Sequence, residues 1–367
     1  VHFDLAGPSD DAELRRLLRE NPVPGSFSLA LTREPSFFHA AGVEGDVSQT
    51  VVARAPDGRL MGLGSRAVRT AFVNGHATRL GYLGQLRVDA PWRGTRGLLR
   101  GGFAGLERLH RESGEPALYV TTLIEGNAEA RRALARPRPG VPTYTEREVV
   151  ATLALPLGRR RRERAIDGLQ LRAATASDLP DVAACLQRNL ARLQFAPAWT
   201  VDDLASPERC RGLSPGDFVL ALRGPRLVGC VALWDQRAFK QTVVCGYPRA
   251  LGLVRPLLQH VGPWLGLPRL PPVGAELEHA FLSHLAVDDD DPRTAEALVR
   301  RSLNQAPPEL SYLATALSPR HPLFAPLRAA FRPLVYRSVL FTVHWPDGAE
   351  AVATLDERVP HLEVAVL

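Results

Sequence analysis

Residues 82–103 read YLGQLRVDAPWRGTRGLLRGGF. An apolar run ends at Val88-Asp89, and a turn with Pro91, Gly94 and Gly97 follows, carrying Arg87, Arg93, Arg96 and Arg100. Apolar residues then recur at helical spacing, at Leu98, Leu99, Phe103, Leu106 and Leu109. The order is strand, glycine- and arginine-rich turn, helix N-terminus. Free backbone N–H groups and the positive end of a helix dipole make such a turn a seat for phosphate. The arginines add charge-assisted donors.

Two phosphate-binding motifs are excluded. No Lys-Ser or Lys-Thr pair follows the glycines, so no lysine is placed for the β- and γ-phosphates of a nucleoside triphosphate. The dinucleotide fingerprint G-x-G-x-x-G does not occur at the strand end. What remains is binding of phosphate or pyrophosphate without chemistry on the phosphate.

On these residues the stretch resembles the acyl-CoA N-acyltransferase (GNAT) superfamily. In that family a central strand leads through V-x-P-x-x-R-G-x-G-x-G/A into a helix, and the turn amides bind the pyrophosphate of acyl-CoA. Val88, Pro91, Arg93, Gly94, Arg96, Gly97 and Leu98-Leu99 carry the likeness. Arg93 stands one place earlier than the family's Arg or Gln, and Leu99 stands where the family has Gly or Ala. Downstream, residues 117–122 read as the next strand, and Asn127-Ala-Glu-Ala130 is similar to the N-x-x-A that opens the following helix. The tyrosine that the family places four residues later, a common general acid, is Leu134 here. The resemblance covers roughly residues 1–155 and, more weakly, 169–343. It implies an α/β (α+β) protein of two tandem domains, each a mixed, mostly antiparallel sheet flanked by helices. It implies acetyl-CoA or another acyl-CoA as cosubstrate, held by Leu86, Arg87, Val88, Arg93, Gly94, Thr95, Arg96, Gly97, Leu98, Leu99 and Asn127, with no metal. The implied activity is direct transfer of the acyl group to an amine, on a small molecule or a protein.

At 367 residues the chain is long enough for two domains. The basic residues are arginines with one exception, Lys240. Residues 1–165 hold 25 basic and 18 acidic residues, a net +7, against a total of +6, which leaves −1 for the remainder. The basic half contains the phosphate-like turn, which favours an anionic ligand there. A nucleic-acid partner is the weaker reading, because the block Arg159–Arg162 stands without any helix-turn-helix or zinc-finger pattern. Cys185, Cys210, Cys230 and Cys245 match no zinc spacing and read as buried thiols. Neither a signal peptide nor an eighteen-residue apolar run is found, so no membrane partner is expected and the cytoplasm is the expected compartment.

In chain order, residues 1–5 read as a strand and 9–20 as a capped helix with Leu14, Leu17 and Leu18 on one face. Residues 34–41 read as a short helix whose Phe37 and Phe38 either pack in the core or line the acceptor site. Strands are expected over 47–54, 60–70, 77–88 and 144–155. Residues 158–168 read as a basic, solvated linker, dividing a domain at 1–157 from a second at 169–345, with a tail at 346–367. The second half repeats the order of the first. Where the first has its glycine–arginine turn, the second has Asp288–Asp291, which would repel pyrophosphate. A solvated acidic helix start is expected there, and the second domain is read as degenerate. An insert at 240–273 contains a helix pattern at Leu251, Leu253, Val254, Leu257, Leu258 and Val261. It is expected to pack between domains, form a homodimer or cover the acceptor cleft. The end HLEVAVL reads as an edge strand.

Acyl transfer to an amine needs a neutral amine, a donor for the oxyanion and a proton for the leaving thiolate. The strand Leu86–Val88 is assigned the carbonyl-orienting role. The acid that the family often has three residues before its valine is Gln85 here. Glu125 is then the nearest carboxylate. His76 and His39 are further candidates, Tyr82 is expected to line the cleft, and Tyr144 to supply the missing phenol. Two other readings stay open: an acyl-CoA-binding or regulatory protein that keeps the fold without turnover, and an unrelated α/β module for nucleic acid or another anion.

Overall fold

A computed structural model describes residues 1–25, 27–134, 138–158, 160–248 and 270–367. The strands are β1 (His2–Leu5), β2 (Ser28–Thr32), β3 (Val47–Arg54), β4 (Leu60–Val73), β5 (His76–Val88), β6 (Tyr119–Ile124), β7 (Thr143–Pro156), β8 (Gln170–Ala173), β9 (Phe218–Arg223), β10 (Arg226–Trp234), β11 (Gln241–Gly246), β12 (His279–Val287), β13 (Tyr312–Leu317) and β14 (Leu334–His344). Twelve of them form one sheet in the order β1-β3-β4-β5-β6-β14-β7-β13-β12-β10-β9-β8. From either edge inward the order is the same: four strands joined antiparallel, a parallel neighbour, then a strand from the opposite half.

Two sheets are expected from the sequence, and one continuous sheet is found. The last strand of each half crosses over. β7 lies beside β13, with Leu313 opposite Leu155, and β14 lies beside β6, with Leu340 opposite Thr122. β7 and β14 then pair with each other along nearly their whole length, from Leu334↔Ala154 to His344↔Thr143. The limits 157 and 169 divide the sequence, while in space the two sets of strands are joined edge to edge.

Helices cover both faces. The Asp11–Glu20 helix buries Leu14, Leu17 and Leu18 against Phe37, Val52 and Leu60, at about 1.5–3 kcal/mol for each side chain removed from water. Phe37 and Phe38 form a 3-10 turn, Phe37–Ala40, ahead of a short helix, Ala41–Glu44, and meet edge to face at 5.4 Å. Phe37 is core and Phe38 packs against it. The Leu98–Ser113 helix packs through Leu98, Phe103, Leu106 and Leu109 and ends at Gly114 in the left-handed conformation (φ 66°). Arg66, buried on β4, donates to Ser113 Oγ (3.0 Å) and to the Glu115 carbonyl (2.8 Å), fixing that end of the helix.

Four elements depart from the sequence reading. β2 and β11 form a separate two-stranded ribbon joining the halves, and Gln241 fastens it by accepting from the Glu34 amide and donating to the Glu34 and Arg237 carbonyls. The linker does not stand clear in solvent at Arg161, which exchanges hydrogen bonds with Asn304 and lies 5.4 Å from the Phe331 ring. The acidic run forms the expected helix start, but only Asp289 is exposed and the other three aspartates are paired. Asp288 accepts from Arg188, Asn189 and Arg226, Asp290 pairs with Arg192, and Asp291 caps the Pro292–Gln305 helix. The tail ends in a buried 3-10 turn, Val364–Val366, instead of an edge strand. Glu363 accepts from the Ala365 amide and bends the chain. The helix pattern at residues 251–261 of the insert lies outside the described residues.

His284 and His361 are enclosed, and burial pushes both imidazoles down to about 3. They are therefore neutral in the folded chain and charge in the unfolded one. The unfolded state binds more protons between pH 6.5 and 3, so stability falls as pH falls through that window. Glu363, whose burial raises it to about 7, acts in the opposite sense between pH 7 and 4.5, so the imidazole is read by difference: from pH 7.5 to 5 the denaturant midpoint of the unaltered chain should fall relative to that of His361→Gln.

Candidate functional site

The site is built where β5 and β6 part. They are parallel neighbours, but only Gly81↔Tyr119 and Tyr82↔Val120 are in register. Gly81 permits the contact, since a Cβ there would run into the Tyr119 ring. Beyond it Thr121 Oγ1 donates to the Leu83 carbonyl (2.6 Å), and Tyr82 Oη and Thr122 Oγ1 lie 3.0 Å apart across the apex. β5 then bulges. Leu63 pairs with Arg87 and Ser65 with Gly84, so Gln85 and Leu86 together oppose Gly64. Gln85 takes φ 52°. A bulge re-aims the backbone and ends pairing on that edge. The result is a wedge between two strands, with the edge of β5 from Gly84 to Val88 outside the β5–β6 ladder.

The wedge leads to the turn. Asp89 ends β5 and accepts from the Ala90 amide (3.0 Å), Asn21 Nδ2 (3.0 Å) and Arg16 (3.2 Å). Burial alone would raise its pKa, but Asn21 and Arg16 outweigh that and hold the carboxyl below its ordinary value. Gly94 and Gly97 have φ 82° and 83°, a conformation that other residues adopt at a cost. A side chain at either would meet nothing within 4 Å, so the turn backbone is open. The amides of Arg96, Gly97, Leu99 and Arg100 meet no protein acceptor among the described residues. No acidic residue stands in the first turn of the Leu98–Ser113 helix. The Arg96 side chain is exposed, and Arg93 reaches Asn21 Oδ1 at 3.2 Å. A shallow apolar hollow, partly open to solvent, lies beside the turn between β5 and this helix, lined by Leu86, Val88, Leu99, Gly102 and Phe103.

The candidate side chains fall in several places. Tyr82 sits at the apex on the face opposite the Leu98–Ser113 helix, and burial raises its pKa, so it holds its proton at neutral pH. Tyr144 is on the helix face. It meets Phe103 and Phe341 edge to face (6.1 and 6.3 Å) in the cluster that also contains Leu134. The two phenols are thus not brought together. Glu125 follows β6, and its carboxylate pairs with Arg337 of β14 at 3.1 Å. Asn127 Oδ1 accepts from the Ala130 amide (3.1 Å), capping the Ala128–Leu134 helix. Arg87 turns toward Arg33 and Tyr82, and burial lowers its pKa to about 10. His76 starts β5, nine residues and roughly 30 Å of strand from Gln85. His39 is half-buried in the Phe37–Ala40 turn.

Three residues beside the wedge escape a reading of the first half alone. Arg337 and Tyr336 belong to β14, which comes from the second half. The Tyr336 hydroxyl is buried without a described partner, near Gly25 and Ile124, and burial raises it to about 12. Lys240 donates to the Leu367 and Ala365 carbonyls (2.6 and 3.2 Å), and burial lowers it to about 8. Its being the only lysine is the one signal the sequence offers. Among the described residues no cluster of His, Cys, Asp and Glu could hold a metal, and no helix is long and apolar enough to cross a membrane.

No protein-family model matches the chain, and a search of curated proteins finds no match. Solved structures do match. A GCN5-related N-acetyltransferase from Sphaerobacter thermophilus is 15% identical, with 100% of this chain and 98% of that chain covered and a TM-score of 0.56. N-myristoyltransferase from Saccharomyces cerevisiae with bound myristoyl-CoA is 12% identical over 93% of this chain and 82% of that chain, at TM-score 0.60. A tandem GNAT protein from the clavulanic acid biosynthesis pathway is 14% identical over 94% and 99%, at TM-score 0.56. At these identities the likeness shows the fold, which is that of GNAT acyltransferases.

Gly81→Val should force β5 and β6 apart at the apex. A loss of about 1–3 kcal/mol, the usual range for overpacking, is expected in chemical denaturation, and an unchanged midpoint would mean that the two strands do not touch there.

Proposed function

We propose that the chain is an acyl-CoA-dependent N-acyltransferase, with acetyl-CoA as the first donor to test and a small-molecule or protein amine as acceptor. The observation that carries this is the conjunction of bulge, wedge and open turn in one continuous path. The turn amides from Gly94 to Leu99, with Arg93 and Arg96, take the diphosphate. The pantetheine arm follows the unpaired edge of β5 through Val88 and Arg87. The bulge at Gln85 and Leu86 turns an amide toward the thioester carbonyl, where negative charge develops. The three solved structures named above fit this reading by their printed names alone.

The amine nitrogen attacks the thioester carbon, and the C–S bond breaks from the tetrahedral intermediate. The amine proton passes to a base, for which Glu125 is the candidate carboxylate, and the thiolate takes a proton from a phenol. Tyr82 suits that role by holding its proton at the apex, and Tyr144 and Tyr336 are the alternatives. The acceptor enters from the Tyr82 face, in the region closed by β2, β11 and Lys240. The palindromic sheet supports a tandem arrangement in which residues 1–157 hold the cofactor and 169–345 form a degenerate copy. Leu134, buried in an apolar cluster where a proton donor would stand, favours the second reading, a protein of this fold that binds acyl-CoA without turnover.

Titration calorimetry with acetyl-CoA should show one site, and release of free thiol with a panel of amines should report turnover. Binding without thiol release would support the second reading, and no binding would refute both. Replacing Arg93 and Arg96 together by alanine should weaken acetyl-CoA binding by at least about tenfold, through lost charge-assisted contacts. Tyr82→Phe should lower kcat by about 10²-fold with little change in KM, the lower end of the effect of general acid catalysis. An unaltered kcat would move the role to Tyr144 or Tyr336.

A further inference from the structure

The second half contains the same wedge. β12 and β13 are parallel and in register only from His279↔Tyr312 to Phe281↔Ala314. β12 then bulges against β10. Cys230 pairs with Ala286 and Ala232 with Ser283, so His284 and Leu285 oppose Val231. His284 takes φ 54°, against 52° at Gln85. A 3-10 turn, Asp288–Asp290, and the Pro292–Gln305 helix follow, as a 3-10 turn and the Leu98–Ser113 helix follow β5. Residue for residue, His284 is the counterpart of Gln85.

This wedge holds the end of the chain. Glu363, 6% exposed, accepts from the His284 amide at 2.8 Å. Gln236 Nε2 donates to the Ala365 carbonyl at 2.9 Å, and Lys240 Nζ to the Leu367 carbonyl at 2.6 Å. Ala365 and Val366 are buried among Trp199, Phe218 and Trp234. The His284 ring lies 4.3 Å from Trp199 and 5.3 Å from Phe218, between centroids. The wall is polar as well as aromatic. His284 Nε2, Trp199 Nε1 and Gln236 Oε1 are buried and meet no protein partner among the described residues.

We infer that the wedge between β12 and β13 is a peptide-binding slot whose resident ligand is the chain's own Glu363–Leu367 segment, with the Glu363 carboxyl seated on the bulge amide. The comparison with a thioester carbonyl at Gln85 rests on the proposed function, and the peptide contact does not. A like replacement is made at the turn, where Asp291 accepts from the Arg293 and Thr294 amides at the helix N-terminus and Asp288 from the Arg188 and Arg226 side chains. The second half is thus a filled copy of the first, with carboxylates of this chain in both anion positions. The segment also passes from one wedge to the other, because Leu367 packs in the cluster that contains Tyr82.

Amide hydrogen exchange on the full chain tests this. Glu363→Ala should speed exchange at least tenfold at the His284 amide and through residues 279–287 and 364–366, leaving residues 119–124 unchanged, and Glu363→Gln should restore protection. Glu363→Asp keeps the carboxyl group and withdraws the oxygen by one methylene. It should also speed exchange, which gives a second reading where the alanine variant does not fold. Acetyl-CoA added to the unaltered protein should protect residues 85–99 and leave 279–287 unaffected. Unchanged exchange in Glu363→Asp or in a folded Glu363→Ala, or protection of His284 by acetyl-CoA, would overturn the inference. Absence of protection at 85–99 would refute the proposed function and leave the peptide slot standing.

Discussion

Each half of this chain is incomplete until the other supplies a strand. β14 stands between β6 and β7, so every ladder bond on the inner edge of the first half is made by residues some two hundred positions away. The wedge depends on this. β6 touches β5 at two registered pairs only, and its other edge must be held firmly if it is to diverge without fraying. β14 does so along the whole of β6, from Ser338 opposite Ile124 to Val343 opposite Tyr119. Beyond β14 the chain turns through Trp345, and Asp347 lies 2.8 Å from His110 Nε2, so the same segment also braces the helix whose N-terminus forms the turn.

The two wedges show how one backbone device is used twice. A two-for-one bulge with a positive φ turns an amide into the gap between parallel strands, and a helix N-terminus beyond it offers further donors. Buried donors need acceptors. In the second half the chain provides them itself, Glu363 for the bulge amide and Asp291 for the helix N-terminus. In the first half no carboxylate among the described residues lies on the amides from Gly94 to Leu99, Asp89 being turned inward toward Arg16 and Asn21. The contrast in charge follows from this: arginines surround the open turn, and aspartates fill the closed one.

Much of the architecture was legible in local pattern. The turn, its helix, the strands over 47–54 and 60–70 and the restart after residue 169 all follow from spacing and turn chemistry, which are short-range. Strand exchange is not short-range. β7 and β14 read as the last strand of their own halves, and nothing in TYTEREVVATLALP or LVYRSVLFTVH states which neighbour each will take. For that reason Tyr336 and Arg337 were not assigned to the first wedge. The alternation in HLEVAVL fits a strand, while the Glu363 side chain bends the segment into a turn. β2 gives no local signal, since SLALT is short and pairs with a strand in the other half. The candidate site was legible at the turn, where function rests on backbone and arginine, and least legible at the proton-transfer groups, where it rests on three-dimensional neighbours of Tyr82 and Glu125.

The proposed chemistry requires an acyl-CoA to lie in the wedge of β5 and β6. A crystal structure of the complex is the most direct measurement. It should place the diphosphate within hydrogen-bond distance of the amides around Gly97 and the thioester oxygen on the bulge at Gln85 and Leu86, with Glu363 still seated on His284. A diphosphate bound away from the 94–99 turn, or a cofactor lying in the wedge of β12 and β13, would contradict it.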